Sequence, residues 1–131
     1  MLVKKFLFFV SLSAVVLADI KVIIPKLNTS FTATKKEIAD LYLGKTKTIR
    51  GIEIIPIDNT DKKSYQEFYK KIVNKTPKQM HAYWVREMYR GNKTPPKRLS
   101  NHQIEEALRS KRNIIAYSFN ALSGQVIMSV E

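Results

Sequence analysis

Ile52-Glu53-Ile54-Ile55-Pro56-Ile57-Asp58-Asn59-Thr60-Asp61-Lys62-Lys63-Ser64-Tyr65-Gln66-Glu67-Phe68-Tyr69-Lys70-Lys71-Ile72-Val73 changes its hydrophobic period halfway along, and that change decides the fold class. Residues 52–57 are rich in isoleucine, which packs well on a pleated surface, and read as a strand interrupted by Pro56 near its end. From residue 65 the apolar positions are Tyr65, Phe68, Tyr69, Ile72 and Val73, which form one stripe of a helix. Asp58 or Thr60 is the expected opening of that helix, because either side chain can accept from an orphan backbone amide. Lys62, Lys63, Lys70 and Lys71 fall mostly off the stripe. A strand running directly into a helix is the repeating unit of α/β domains.

The same grammar extends in both directions. Upstream, Thr34-Lys35-Lys36-Glu37 is a capping box, followed by Ile38, Leu41 and Tyr42 at helical spacing and by Gly44 as a stop. Residues 21–24 form a short β-branched strand bounded by Pro25, and residues 25–33 a polar loop. Downstream, Thr76-Pro77-Lys78-Gln79 combines an N-cap Thr, Pro at the first helical position and a capping Gln. The helix it starts carries Met80, Tyr83, Trp84 and Met88 on one face, predicted to be core, and ends near Gly91. Residues 91–99 read as a basic Pro-containing loop, and Ser100-Asn101-His102-Gln103 opens a helix through Leu108. Residues 113–119 and 125–130 read as strands, with Ser123-Gly124 turning between them. The expected architecture is a single α/β domain, a central mixed sheet flanked by about four helices.

Residues 1–18 have a different character. Lys4 and Lys5 precede a run from Phe6 to Leu17 that is apolar apart from Ser11 and Ser13, and Val16-Leu17-Ala18 suits signal peptidase. Cleavage after Ala18 is predicted, leaving a domain at residues 19–131 with a periplasmic or secreted location. Charges resume at Asp19 and Lys21, too soon for the roughly 20 apolar residues of a membrane-spanning helix. Loss of Lys4 and Lys5 leaves 21 basic against 11 acidic residues, a formal charge of +10. Such a charge favours anionic solutes, phospholipid surfaces, lipopolysaccharide or nucleic acid, the last of which an exported protein meets least often.

Several chemistries are poorly served by these residues. The chain has no cysteine, which excludes disulfides, thiolate metal sites and cysteine nucleophiles. His81 and His102 are isolated from any carboxylate at metal-ligand spacing. Glu105 and Glu106 are adjacent on a helix and point to different sides, a poor geometry for an acid and base pair. No serine sits in a nucleophile-elbow pattern. No catalytic residue, metal or cofactor is therefore expected. The loop Arg90-Gly91-Asn92-Lys93-Thr94-Pro95-Pro96-Lys97-Arg98 contains no acid and reads either as a solvated connection or as a surface for an acidic partner. It lacks the interleaved aromatic residues that nucleic-acid binding wants.

A series of segments resembles phosphate ABC transporter substrate-binding proteins. Ile38-Ala39-Asp40-Leu41-Tyr42-Leu43-Gly44-Lys45 is similar to a helix-ending segment of that family, and Ile54-Ile55-Pro56-Ile57-Asp58 to the strand that follows it. Phe68-Tyr69-Lys70-Lys71, Ala82-Tyr83-Trp84, Gly91 with Pro95-Pro96, and Ile114-Ile115-Ala116-Tyr117 resemble short stand-alone members. The resemblance implies a type 2 periplasmic-binding-protein-like fold reduced to a single lobe. It also implies a phosphate loop at the start of the helix containing Tyr65. There the family's Arg-Ser-Asp-Gly-Ser-Gly-Thr-like pattern is replaced by Asp58-Asn59-Thr60-Asp61-Lys62-Lys63-Ser64. Asp58 stands at the arginine position and both glycines are gone, so only a weak oxyanion site is expected, built from Asn59, Thr60, Lys62, Lys63 and Ser64. Two readings stay open. One is a solute-binding domain that takes phosphate or a similar oxyanion weakly. The other is a non-catalytic interaction module that kept the fold, lost the ligand and meets a membrane protein or an anionic envelope component.

Overall fold

The computed structural model describes residues 19–27, 30–91, 93–110 and 112–131. The expected signal peptide at residues 1–18 lies outside them. In chain order the elements are β1 (Ile20–Ile24), α1 (Lys35–Tyr42), β2 (Thr48–Ile49), β3 (Ile52–Glu53), β4 (Ile55–Asn59), α2 (Lys62–Phe68), a π-helical turn (Tyr69–Val73), α3 (Pro77–Tyr89), β5 (Lys97–Leu99), α4 (Asn101–Arg109), β6 (Ile114–Ser118) and β7 (Gln125–Val130). No described helix is long and apolar enough to cross a membrane.

Local capping chemistry sets the helix starts. Thr34, Thr76 and Ser100 each accept from the amide of the third helical residue, while Glu37, Gln79 and Gln103 accept in return from the cap amide. Gly44, at φ 72°, follows the α1 cap Leu43 and ends that helix as expected. The helix after β4 starts later than expected. Its cap is Asp61, not Asp58 or Thr60, because β4 extends through Asn59 and keeps both Asp58 and Asn59 in extended, buried positions.

Five strands form one mixed sheet in the order β5-β4-β6-β1-β7, and β2 pairs with β3 separately. β4 runs parallel to β5 and β6, with Ile57 beside Lys97 and Ile55 beside Ile114. β1 runs antiparallel to both neighbours, placing Val22 opposite Tyr117 of β6 and Ile20 opposite Val130 of β7. Four strands therefore point one way and β1 alone points the other. β5 corrects the expectation of a loop over residues 91–99. Two prolines and two charged residues hide a strand whose formation depends on β4, since it is otherwise only three residues long.

Strand alternation divides the core into two layers. Val22, Ile24, Ile115 and Tyr117 pack against Ile38, Leu41 and Tyr42 of α1, Phe68, Tyr69 and Ile72 of the α2–π segment, and Met80 and Trp84 of α3. Ile23, Ile57, Ile114 and Ala116 face the opposite way and meet Ile104, Ala107 and Leu108 of α4. The helices thus cover both faces of the sheet. The π turn widens the helix so that the consecutive pairs Phe68–Tyr69 and Ile72–Val73 are all buried. Gly124 leads into β7 at φ 134°, where an added Cβ would stand 2.6 Å from the Ile24 carbonyl oxygen. Only glycine lets the backbones approach this closely.

Candidate functional site

The expected oxyanion residues meet at the C-terminal end of β4, where the chain leaves for α2 on one face and the β5–α4 connection leaves on the other. Such a switch point at the carboxyl ends of parallel strands is where open α/β sheets usually bind ligands. Thr60, Lys62 and Lys63 are exposed there, whereas Asn59 and Ser64 are buried. The Ser64 amide donates to the Asp61 carboxylate at 3.0 Å and the Ser64 hydroxyl donates to it at 2.7 Å. These two bonds, the hydroxyl first, hold the Asp61 carboxyl below its ordinary pKa. Asp61 thus occupies the donors that an incoming oxyanion would use at the start of a helix of only seven residues.

Asn59 is equally committed. Its Oδ1 accepts from the Asp61 amide at 2.8 Å, and its Nδ2 donates to Asn101 Oδ1 at 2.8 Å and to the Tyr117 carbonyl at 2.9 Å. Ser118 donates its hydroxyl to the same Asn101 oxygen, and the Asn120 amide donates to Ser118 Oγ. The crevice between β4 and β6 is therefore laced shut by the protein's own polar side chains.

Asp58 does not face this loop. Ile57 points toward α4, so the next residue points toward the three-helix layer, and Asp58 is only 3% exposed. Its Oδ1 accepts from the hydroxyls of Tyr69 and Tyr117, both at 2.8 Å, and Oδ2 accepts from Tyr69 at 3.1 Å. Tyr42 donates its hydroxyl to the carbonyls of Ile57 and Ile115 beside them. Burial pushes the Asp58 carboxyl up to about 6, against the opposing pull of the two tyrosine hydroxyls and of Arg98. Burial and the Asp58 charge together hold Tyr42, Tyr69 and Tyr117 well above the ordinary tyrosine range. Arg98 reaches this cluster from outside, its guanidinium lying 4.5 Å from the centroid of the Tyr65 ring. The Asp58 carboxylate is therefore a core acceptor and faces away from the loop at the start of α2. The signal for this was strand alternation itself, which sets Asp58 on the face opposite Ile57.

A second concavity lies near the other end of β4. A groove of about 850 Å³ runs between α1, α3, the β2–β3 hairpin and the segment before β5, lined by Leu41, Ile54, Ile55, Trp84, Met88 and Pro95 among others. Lys47, Lys93, Lys97 and Glu53 are its charged lining. Trp84 is buried, as expected, but Met88, expected in the core, is 54% exposed. Tyr83 is half-buried and donates its hydroxyl to the Leu43 carbonyl at 2.7 Å. Lys93 donates to that carbonyl and to the Tyr83 hydroxyl, and stands 3.6 Å from Glu87, which also pairs with Arg90. The acid-free segment 90–98 thus finds a counter-charge on α3, something its own composition does not reveal.

The remaining titratable residues are dispersed. His81 is exposed, whereas His102 is not isolated as expected: it lies 3.8 Å from Glu106, one turn further along the surface of α4. Glu105 accepts from the Ser123 amide and from Arg109, which together hold its carboxyl down at about 2. Among the described residues no group of three or more His, Cys, Asp or Glu side chains is placed to hold a metal ion. No family model, no curated protein and no solved structure matches this chain.

Proposed function

We propose that this chain is an exported, non-catalytic interaction module of the cell envelope, with a single-lobe type 2 periplasmic-binding-protein-like fold related to phosphate ABC transporter substrate-binding proteins. The mixed five-stranded sheet with helices on both faces is compatible with that fold. One observation carries the functional part: the Asp61 carboxylate takes both the amide and the hydroxyl of Ser64, the donors best placed for an oxyanion. A fixed intramolecular carboxylate competes at very high effective concentration with any free anion. The runner-up reading, a weak phosphate or oxyanion receptor, draws support from the exposed Thr60 and from exposed Lys62 and Lys63, two lysines that form no ion pair among the described residues.

Calorimetric titration of the mature domain with phosphate and with sulfate tests the choice. The expected dissociation constant is on the order of 0.1 mM or weaker, about −5.5 kcal/mol or less favourable. Micromolar binding abolished by replacing Lys62, Lys63 and Ser64 with alanine would restore the receptor reading. An Asp61→Ala variant provides the converse test. Freed of the internal carboxylate, the Ser64 donors should bind phosphate more tightly than in the parent protein, while the helix loses about 1 kcal/mol of capping.

A further inference from the structure

Among the described residues, five of the seven exposed large apolar side chains line the α1–α3 groove or adjoin its lining residues in the chain, Leu27 and Val126 being the other two. Ile55 and Met88, each 54% exposed, line it. Ile52 (46%), Val85 (55%) and Tyr89 (93%) adjoin lining residues in the chain. Val85 and Tyr89 form a strip one residue round α3 from Trp84 and Met88. Pro95 and Pro96 make the opposite wall, fixed in conformation before anything binds. Gly44 lets the Lys93 stem and the Trp84 ring close on the groove floor, since a Cβ there would stand 2.8 Å from Lys93 Cδ and 3.6 Å from the Trp84 ring.

Charge selects the occupant. Lys93 is spent on the Leu43 carbonyl, Tyr83 and Glu87, but Lys47 and Lys97 form no ion pair among the described residues. Only Glu53 opposes these three lysines among the lining residues. An apolar floor with an unbalanced cationic rim complements a ligand with apolar anchors and negative flanks. The groove is open, leaving about half of Ile55 and Met88 to water, whereas small-molecule sites enclose most of their ligand. Its concavity also suits an inserted side chain better than a flat bilayer surface.

We infer that this groove docks an acidic polypeptide segment, with a leucine- or phenylalanine-type side chain seated over Trp84 and flanking aspartates or glutamates meeting Lys47 and Lys97. This rests on the reading of the chain as an interaction module and specifies its contact surface and the chemistry of its partner. Trp84 is the sole tryptophan, so its emission reports directly on the groove.

The test selects a displayed library of random short peptides on the mature domain, with a Lys47→Glu/Lys97→Glu variant as counter-selection. Enriched sequences should pair large apolar residues with acids, shift Trp84 emission, and bind the charge-reversed variant at least about tenfold more weakly. Met88→Ala, at an exposed position, should weaken binding without lowering stability. The inference is overturned if no enrichment depends on the groove, if the enriched peptides are basic, or if phosphatidylglycerol vesicles shift Trp84 emission and the peptides do not. Micromolar phosphate binding at the start of α2 would instead sink the interaction-module reading and leave the peptide result standing by itself.

Discussion

Asp58 shows how one carboxylate can govern the pH response of a small domain. An acid whose pKa rises from an ordinary 3.8 to about 6 on folding holds its proton more tightly in the native state. Its contribution to stability is therefore complete below about pH 4 and is lost as pH rises through 6, a change of up to about 3 kcal/mol. Glu105, whose carboxyl is held down, acts with the opposite sign but only in the range below its ordinary value of 4.5. Denaturant midpoints should thus fall between about pH 4 and pH 7. In Asp58→Asn, which keeps an oxygen for the two tyrosine hydroxyls and removes the charge, that fall should disappear and stability at pH 7 should rise. An unchanged pH slope in the variant would show that Asp58 is not the titrating group. Trp84 gives a second test at this scale. Truncation to alanine removes a buried indole packed edge-on to Tyr83 and should cost about 3 to 5 kcal/mol. A variant with an unchanged denaturant midpoint would show that the indole serves the groove alone and contributes nothing to the core.

At the level of elements, legibility followed the range of the interactions involved. The starts of α1, α3 and α4 could be read directly, since each capping box is satisfied within four residues of chain. Thr76→Ala should accordingly cost about 1 kcal/mol, read from urea denaturation, with no loss of the fold. The start of α2 was misplaced because Asp58 and Asn59, polar residues that usually end strands, are held in β4 by Tyr69, Tyr117 and Asn101, partners distant in sequence. β5 was missed for a related reason. Prolines and lysines mark protected sheet edges as well as loops, and only the neighbouring β4 reveals which applies. The expected oxyanion residues lie around the C-terminal end of β4. Their internal commitments were not legible, because Asp61 can cap a helix or leave it open and the choice is made by geometry. The α1–α3 groove is assembled from four separate elements and left no local mark at all, apart from the excess of lysine around Pro95 and Pro96.

For the molecule as a whole, the sheet order carries a consequence in time. β1 lies between β6 and β7, with Ile20 paired to Val130, so the earliest described strand is sandwiched by the two latest. Until β6 has been synthesised, Val22 and Ile24 have no strand neighbour, and the apolar faces of α1 and the α2–π segment have an incomplete surface to pack on. Closing so long a loop is a slow step that must precede most of the stabilising contacts. Nascent chains truncated before Ile114 should therefore be degraded by protease about as fast as an unfolded polypeptide, and protection should appear late and abruptly once β7 has emerged. A domain that closes only when β7 joins β1 stays thin and pliable until then, the condition in which a polypeptide can be threaded through a narrow passage before it takes shape on the far side.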